Sequence, residues 1–307
     1  MAQQRNNTVV EAFLASLIRR AYSQQTILSY QRILKDYIAW LETKDLDICL
    51  IKPRDIERFQ IFLVLGPRGK PLSARRRALY IAVLRSFYKY CINQQQPCHE
   101  ILESMDYPIQ PTTIRQDILT LDEMHSLLHV AADQGGWQNL ALRLMLLSGL
   151  RVGEVVALGI QDVNLKQREI VIRQAKGGKH RLVFIDKQTI RGLKEYLSKR
   201  EPADALGHAN LLVNSGKPLT NDQVYGAVKR MAQLAGIPRS ISPHSLRRTF
   251  ATRLLDTGVK GMNLKVVAEL LGHASLQTTA KYAQVDEQTL ARVYQAAHPA
   301  LNGAITL

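Results

Sequence analysis

"SPHSLRRTF", residues 242–250, is the stretch on which the reading of this chain turns. Ser242 is a good helix N-cap, because its hydroxyl can accept from a backbone N–H of the first turn. Pro243 suits the first helical position, where no N–H is needed. His244 and Arg247 then stand three apart and share one face near the helix start. That end carries unpaired N–H groups and a partial positive charge, which suits a phosphate. Arg248 is turned away from the same face. Taken alone, the stretch reads as a solvated helix start, so its weight depends on what else the sequence offers.

Three other stretches offer matching chemistry. In "SGLRVGEVVAL" (148–158), Arg151 follows a Ser-Gly turn and Glu154 stands three residues on, close enough to orient the guanidinium. By itself that is a surface ion pair, worth little. "REIVIRQ" (168–174) and "HRLVFID" (180–186) alternate with period two around Gly177-Gly178, which is a hairpin signal. The hairpin turn brings Lys176, Lys179 and Arg181. In "LLGHASLQTTAKYAQV" (270–285), Gly272 breaks a helix before His273, Ser275 can cap the next one, and Tyr282 follows nine residues after His273.

The charge of the whole chain points to a partner. Forty-one Lys and Arg stand against 26 Asp and Glu, a formal net charge of +15 over 307 residues. Such a balance suits a polyanion, either nucleic acid or an anionic membrane surface. Apolar runs such as "IFLVL" (61–65) fall far short of the roughly 20 residues that span a bilayer. The N-terminus is polar and has no apolar signal core, so no membrane role is expected. Cys49, Cys91 and Cys98 are an odd count without metal spacing and read as free thiols in a reducing cytosol. A cytoplasmic protein is expected.

The length suggests two domains. The first third reads as helices. Thr8-Val-Val-Glu11 has capping-box spacing, and Ile27, Tyr30, Leu34, Tyr37, Ile38 and Leu41 repeat at three and four. Pro53 suits a first helical turn, and Ser73 precedes a fourth helix that opens on Arg75, Arg76 and Arg77. Residues 103–117 lose periodicity and carry two prolines. We therefore expect a helical domain over 1–110 and a second domain over 111–307. Sixteen Lys and Arg against ten Asp and Glu precede residue 113, and 25 against 16 follow, so both domains can touch the anion. The second domain opens with a capping box, Thr120 to Glu123, passes through the hairpin and returns to helical patterns, with a short strand at "LLVN". The fold class is mainly α with a small antiparallel β-sheet (α+β).

Together the four stretches form a workable chemical set. Two arginines can fork onto the non-bridging oxygens of a phosphodiester and stabilise a pentavalent transition state. A tyrosine hydroxyl can attack phosphorus and form a covalent ester. A lysine can protonate the leaving oxygen, and histidines can donate to the phosphate or handle the tyrosine proton. No carboxylate or cysteine lies at ligand spacing beside either histidine, so no metal and no other cofactor is expected.

This set, with "SGLRVGEV", "AKGGKHRLV", "HSLRRTFATRLL", "LLGHASLQTTAKY" and a terminal "HP" in that order, resembles the tyrosine recombinases, the phage integrase family, most of all its Xer-like branch. The resemblance spans essentially the whole chain. It implies a helical core-binding (SAM-like) domain and a catalytic domain that close as a C-shaped clamp on double-stranded DNA at core recombination sites. It also implies a bacterial-type, nucleoid-associated setting and roles for particular residues. Arg151 and Arg247 clamp the phosphate, and Glu154 supports the site. Lys176, rather than Lys179, is the general acid; Ala175 stands where glycine is usual in that turn. His244 and His273 complete the set, and Tyr282 is the nucleophile. Arg75, Arg76, Arg77, Lys179 and Arg181 are read as DNA-binding. The implied activity is site-specific recombination through a 3′-phosphotyrosyl link and a Holliday junction. It runs in a homotetramer held by exchange of C-terminal tails, with room for accessory proteins. Rival readings are a type IB topoisomerase, a telomere resolvase, or a DNA-binding regulator that has lost catalysis.

Overall fold

The apolar periodicities of the first third become four helices in the computed structural model: α1 (Ala2–Arg19), α2 (Gln24–Glu42), α3 (Pro53–Leu65) and α4 (Ala74–Asn93). The structure describes residues 2–67, 69–95, 105–109, 117–173, 180–200, 207–256, 263–271 and 296. The chain divides into two compact units, residues 1–113 and 114–307.

In the first unit, α1 begins upstream of the capping box expected at Thr8, which lies inside the helix. A tertiary contact accounts for this. Asn6 is 1% exposed. Its side chain donates to the Leu46 carbonyl and accepts from the Ile48 N–H, so the turn before Thr8 is anchored and stays helical. Ser23 caps α2, Pro53 opens α3 and Ser73 caps α4. The core is aromatic: Phe13, Tyr37, Phe59, Phe87 and Tyr88 are all fully buried. Burying such a ring contributes about 1.5–3 kcal/mol. The Tyr37 and Tyr88 hydroxyls satisfy each other at 2.7 Å, and Tyr88 also donates to the Ile48 carbonyl. Cys49 and Cys91 are free thiols in this core.

The second unit is built around α6 (Gly136–Leu146), whose residues from Leu140 onward are all buried. Around it stand α5 (Leu121–Gln134), α8 (Lys187–Lys199), α9 (Asn221–Leu234) and α10 (Pro243–Asp256). The expected Thr120–Glu123 capping box is present, and Arg239 forks onto the same Glu123 carboxylate. The hairpin is β2 (Glu169–Arg173) and β3 (His180–Phe184), joined on its outer side by β1 (Val163–Asn164). A second, two-stranded sheet pairs β4 (Val213–Asn214) with β5 (Lys217–Pro218). A short α7 (Val152–Ala157) follows α6, and α11 (Leu264–Leu271) is the last complete described element. The fold is therefore mainly α with small antiparallel sheets.

One buried ion pair joins α6 to the end of the hairpin. Arg143 donates to Asp186 at 2.8 Å and to the Thr189 hydroxyl at 2.9 Å, with both charged side chains at most 5% exposed. Asp186 also caps α8 through the Gln188 and Thr189 N–H groups. Breaking one partner of such a pair costs about 3–5 kcal/mol, because the other charge is left buried alone. No helix among the described residues is long and apolar enough to cross a membrane.

Candidate active site

Glu154 is the hub of the site. It is the third residue of α7, and its carboxylate caps that helix through the Arg151 N–H at 2.7 Å. The Arg151 guanidinium reaches the same carboxylate at 2.8 Å. Arg181, from β3, forks onto both oxygens at 2.8 and 2.6 Å. Arg247, from α10, lies 3.8 Å away. Three arginines from three elements thus surround one carboxylate. Burial alone would raise the Glu154 carboxyl. The hydrogen bonds and charge of Arg181, with those of Arg151, outweigh burial and hold it down at about 2.

The turn before Arg151 is shaped for this. Gly149 has φ of +67°, a left-handed conformation that glycine tolerates. A Cβ there would sit 2.5 Å from the Phe250 ring and 3.0 Å from Leu271. The Gly149 carbonyl accepts from Arg247, and so does the Leu271 carbonyl. Arg181 donates to the neighbouring Leu270 carbonyl at 3.1 Å. Two guanidiniums therefore cap the last carbonyls of α11, where the helix dipole favours positive charge.

Ser242 caps α10 as its sequence implied: its hydroxyl accepts from the Ser245 N–H. His244 is exposed at that helix start, whereas Arg247, one turn on, is 4% exposed. Burial first, then the charge of Arg151, lowers the Arg247 guanidinium to about 9, with Glu154 opposing. Arg248 faces away, and its Nη1 donates to both Asp117 oxygens at 2.6 and 2.7 Å. The structure thus brings Arg151, Glu154 and Arg247 together. Lys176, Lys179, His273 and Tyr282 lie outside the described residues. Among the described residues, no group of His, Cys, Asp and Glu could hold a metal ion.

Arg181 corrects the sequence reading. It was expected to face DNA beside the hairpin turn, but its side chain is 8% exposed and fully engaged with Glu154 and Leu270. The period-two pattern held the signal. Arg181 pairs with Ile172, and Val183 pairs with Ile170, so Arg181 falls on the inward face of the hairpin. The arginine run on α4 is spread around the helix, since consecutive helical residues point about 100° apart. Arg75 is exposed, Arg76 lies over the Tyr80 ring at 5.7 Å, and Arg77 is half-buried.

Comparison with known proteins gives the family. Residues 117–289 match the phage integrase family, and residues 10–95 match its N-terminal SAM-like domain. The tyrosine recombinase XerD of Bifidobacterium longum is 30% identical over 95% of this chain and 97% of its own length. Two solved structures share the fold. The XerH site-specific recombinase in a post-cleavage complex with a palindromic difH substrate has a TM-score of 0.67, at 24% identity over 93% of this chain and 80% of that one. A lambda integrase dimer bound to a COC′ core site has a TM-score of 0.66, at 20% identity over 92% of this chain and 98% of that one. With a family match over more than half its length and an arginine-ringed glutamate at the expected place, the chain belongs to the phage integrase family, the tyrosine recombinases.

Proposed function

We propose that this protein is a site-specific DNA recombinase that cuts and rejoins duplex DNA through Tyr282. The observation that carries this reading is the cluster at Glu154, which accepts from Arg151 and has the Arg247 guanidinium 3.8 Å away. Arg151 keeps 41% of its side chain exposed, so one arginine reaches outward while the other is walled in. Arg151 can meet one non-bridging oxygen of a scissile phosphate from its open side, and Arg247, whose Nη atoms each keep a second N–H, can meet the other, with His244 donating beside them.

The Tyr282 hydroxyl oxygen attacks phosphorus, and a histidine takes its proton. The bond from phosphorus to the 5′-oxygen breaks, and Lys176 protonates that oxygen. A 3′-phosphotyrosyl ester and a free 5′-hydroxyl result. Attack by the 5′-hydroxyl of a partner duplex reverses the chemistry and makes a Holliday junction; a second round resolves it. Each ester bond broken is replaced by another, so no ATP is consumed. Two protomers hold each site, and four assemble by docking C-terminal tails on their neighbours. Arg75, Arg76, Arg77 and Lys179 are the candidates for further phosphate contacts, with exposed Arg75 foremost.

The test is covalent trapping on a nicked suicide substrate. The wild-type chain should be trapped. Tyr282→Phe should bind the same DNA with equal affinity and give no covalent band. A band from that variant would remove Tyr282 from its role. Failure of the wild type to trap would favour a non-catalytic DNA-binding regulator, and plasmid relaxation without strand exchange would favour a topoisomerase.

A further inference from the structure

We propose that Arg181 is a positioning residue for strand cleavage: by filling the Glu154 carboxylate, it keeps Arg247 on the Gly149 and Leu271 carbonyls instead of paired with the glutamate. The proposal rests on the phosphate-clamp reading of Arg151 and Arg247.

The donor arrangement makes the case. A carboxylate offers about four lone-pair sites. On Glu154, Oε1 accepts from the Arg151 and Arg181 guanidiniums, and Oε2 accepts from the Arg151 backbone N–H and from Arg181. All four are taken, two of them by Arg181. Arg247 stands next in line at 3.8 Å from Oε2, which is an ionic approach and not a hydrogen bond. Its Nη atoms are committed to the Gly149 and Leu271 carbonyls. Those bonds fix the plane of its guanidinium.

Loss of the Arg181 fork would open two acceptor sites on a carboxylate within 4 Å of a guanidinium. In a dry site, Arg247 would close that gap, because a carboxylate offers its guanidinium a full negative charge where a carbonyl offers only a dipole. It would then leave the α11 carbonyl and the position from which it meets phosphate. Arg181 itself spends Nη1 and Nη2 on the two Glu154 oxygens and Nε on the Leu270 carbonyl. Its contribution is made through Glu154 and Arg247.

Three variants test this: Arg181→Gln, Arg181→Lys, and Arg181→Gln combined with Glu154→Gln. Trapping rates are measured on a nicked suicide duplex at saturating DNA, and affinity is measured against salt. Arg181→Gln should keep its affinity and salt slope but cleave up to about 100-fold more slowly, the loss typical of a reacting group misplaced by an ångström. Arg181→Lys keeps the charge but reaches only one oxygen, so it should fall between. The double variant should cleave faster than Arg181→Gln alone, because the carboxylate that captures Arg247 is gone. A scaffold defect would instead make the double variant slower.

A salt slope flattened by about 0.9 in Arg181→Gln would mean a direct phosphate contact and overturn the proposal. So would a double variant no faster than the single one. If Arg181→Gln does not fold, the comparison of Arg181→Lys with its own Glu154→Gln double carries the same test. Arg247→Ala separates the two levels. Wild-type cleavage in that variant refutes the clamp reading, whereas impaired Arg247→Ala beside normal Arg181→Gln refutes only the role of Arg181.

Discussion

Glu154→Gln should destabilise the second unit by an amount that depends on pH in a set way. The substitution keeps the size of the side chain and removes its charge. Three guanidiniums then share a neutral amide. Glu154 is 15% exposed, so solvent does little to screen the loss. Its carboxyl is held at about 2, against an ordinary value of 4.5, chiefly because Arg181 overcomes the cost of burial. A depressed carboxyl contributes stability that is complete above the unfolded value and lost as pH falls through the folded one. At pH 7 the contribution is about 3 kcal/mol, and by pH 3 it falls to about 1 kcal/mol. The difference between wild type and Glu154→Gln should therefore shrink by roughly that ratio. Urea unfolding followed by tryptophan fluorescence measures it. With Trp40 replaced by phenylalanine in both proteins, only Trp137 reports, and it packs on the core of the second unit. A difference below about 1 kcal/mol at pH 7, or one equally large at pH 3, would refute the assignment of Glu154 as the buried counter-charge.

Gly149→Ala should cost about 1–2 kcal/mol for the left-handed backbone, and about 1–3 kcal/mol more for the overlap with Phe250; a loss below 1 kcal/mol in the same urea assay would mean that the turn relaxes freely. Replacing Arg75, Arg76 and Arg77 together by alanine should flatten the log affinity against log salt slope by about 0.9 for each phosphate that is no longer neutralised. Because Arg77 is half-buried, a change nearer one phosphate than three is expected, and an unchanged slope would show that the run only faces solvent. Deleting residues 299–307 should leave one-site DNA binding intact and weaken cooperative two-site binding in a gel-shift titration; equal loss of both would place the tail in its own domain.

What could be read from the sequence divides by range. The start of α10 was legible because Ser242 and Pro243 act on their own helix turn. The hairpin was legible because period two and Gly177-Gly178 are local signals. The pairing of Arg151 with Glu154 was visible as a spacing of three, yet it looked like a weak surface pair until Arg181 and Arg247 enclosed it. The partners that give the site its character lie far apart in the chain. Arg181 and Glu154 are 27 residues apart, Arg143 and Asp186 are 43, and Arg248 and Asp117 are 131. No local pattern selects one carboxylate for one guanidinium over such distances; packing of α6, α10 and the hairpin does. The start of α1 was misplaced for the same reason, since Asn6 finds its partners near Leu46 and Ile48.

Arg247 shows what this arrangement is built for. Its guanidinium is held at about 9, below the ordinary 12.5, because burial and the charge of Arg151 together outweigh Glu154. Between those two values the unfolded chain binds the proton more firmly than the folded one, so stability rises as pH rises through that window. At neutral pH, Arg247 therefore carries its charge at a cost to the fold. A site designed only for stability would place a second carboxylate there, or a leucine. Among the described residues, three guanidiniums instead stand against one glutamate, with Arg151 partly exposed. In the reaction proposed above, a phosphodiester would supply negative charge, and the pentavalent transition state, with more charge on its non-bridging oxygens, would supply more. On that reading, the same imbalance that weakens the free protein favours the transition state over the bound ground state, which is the difference that raises a rate.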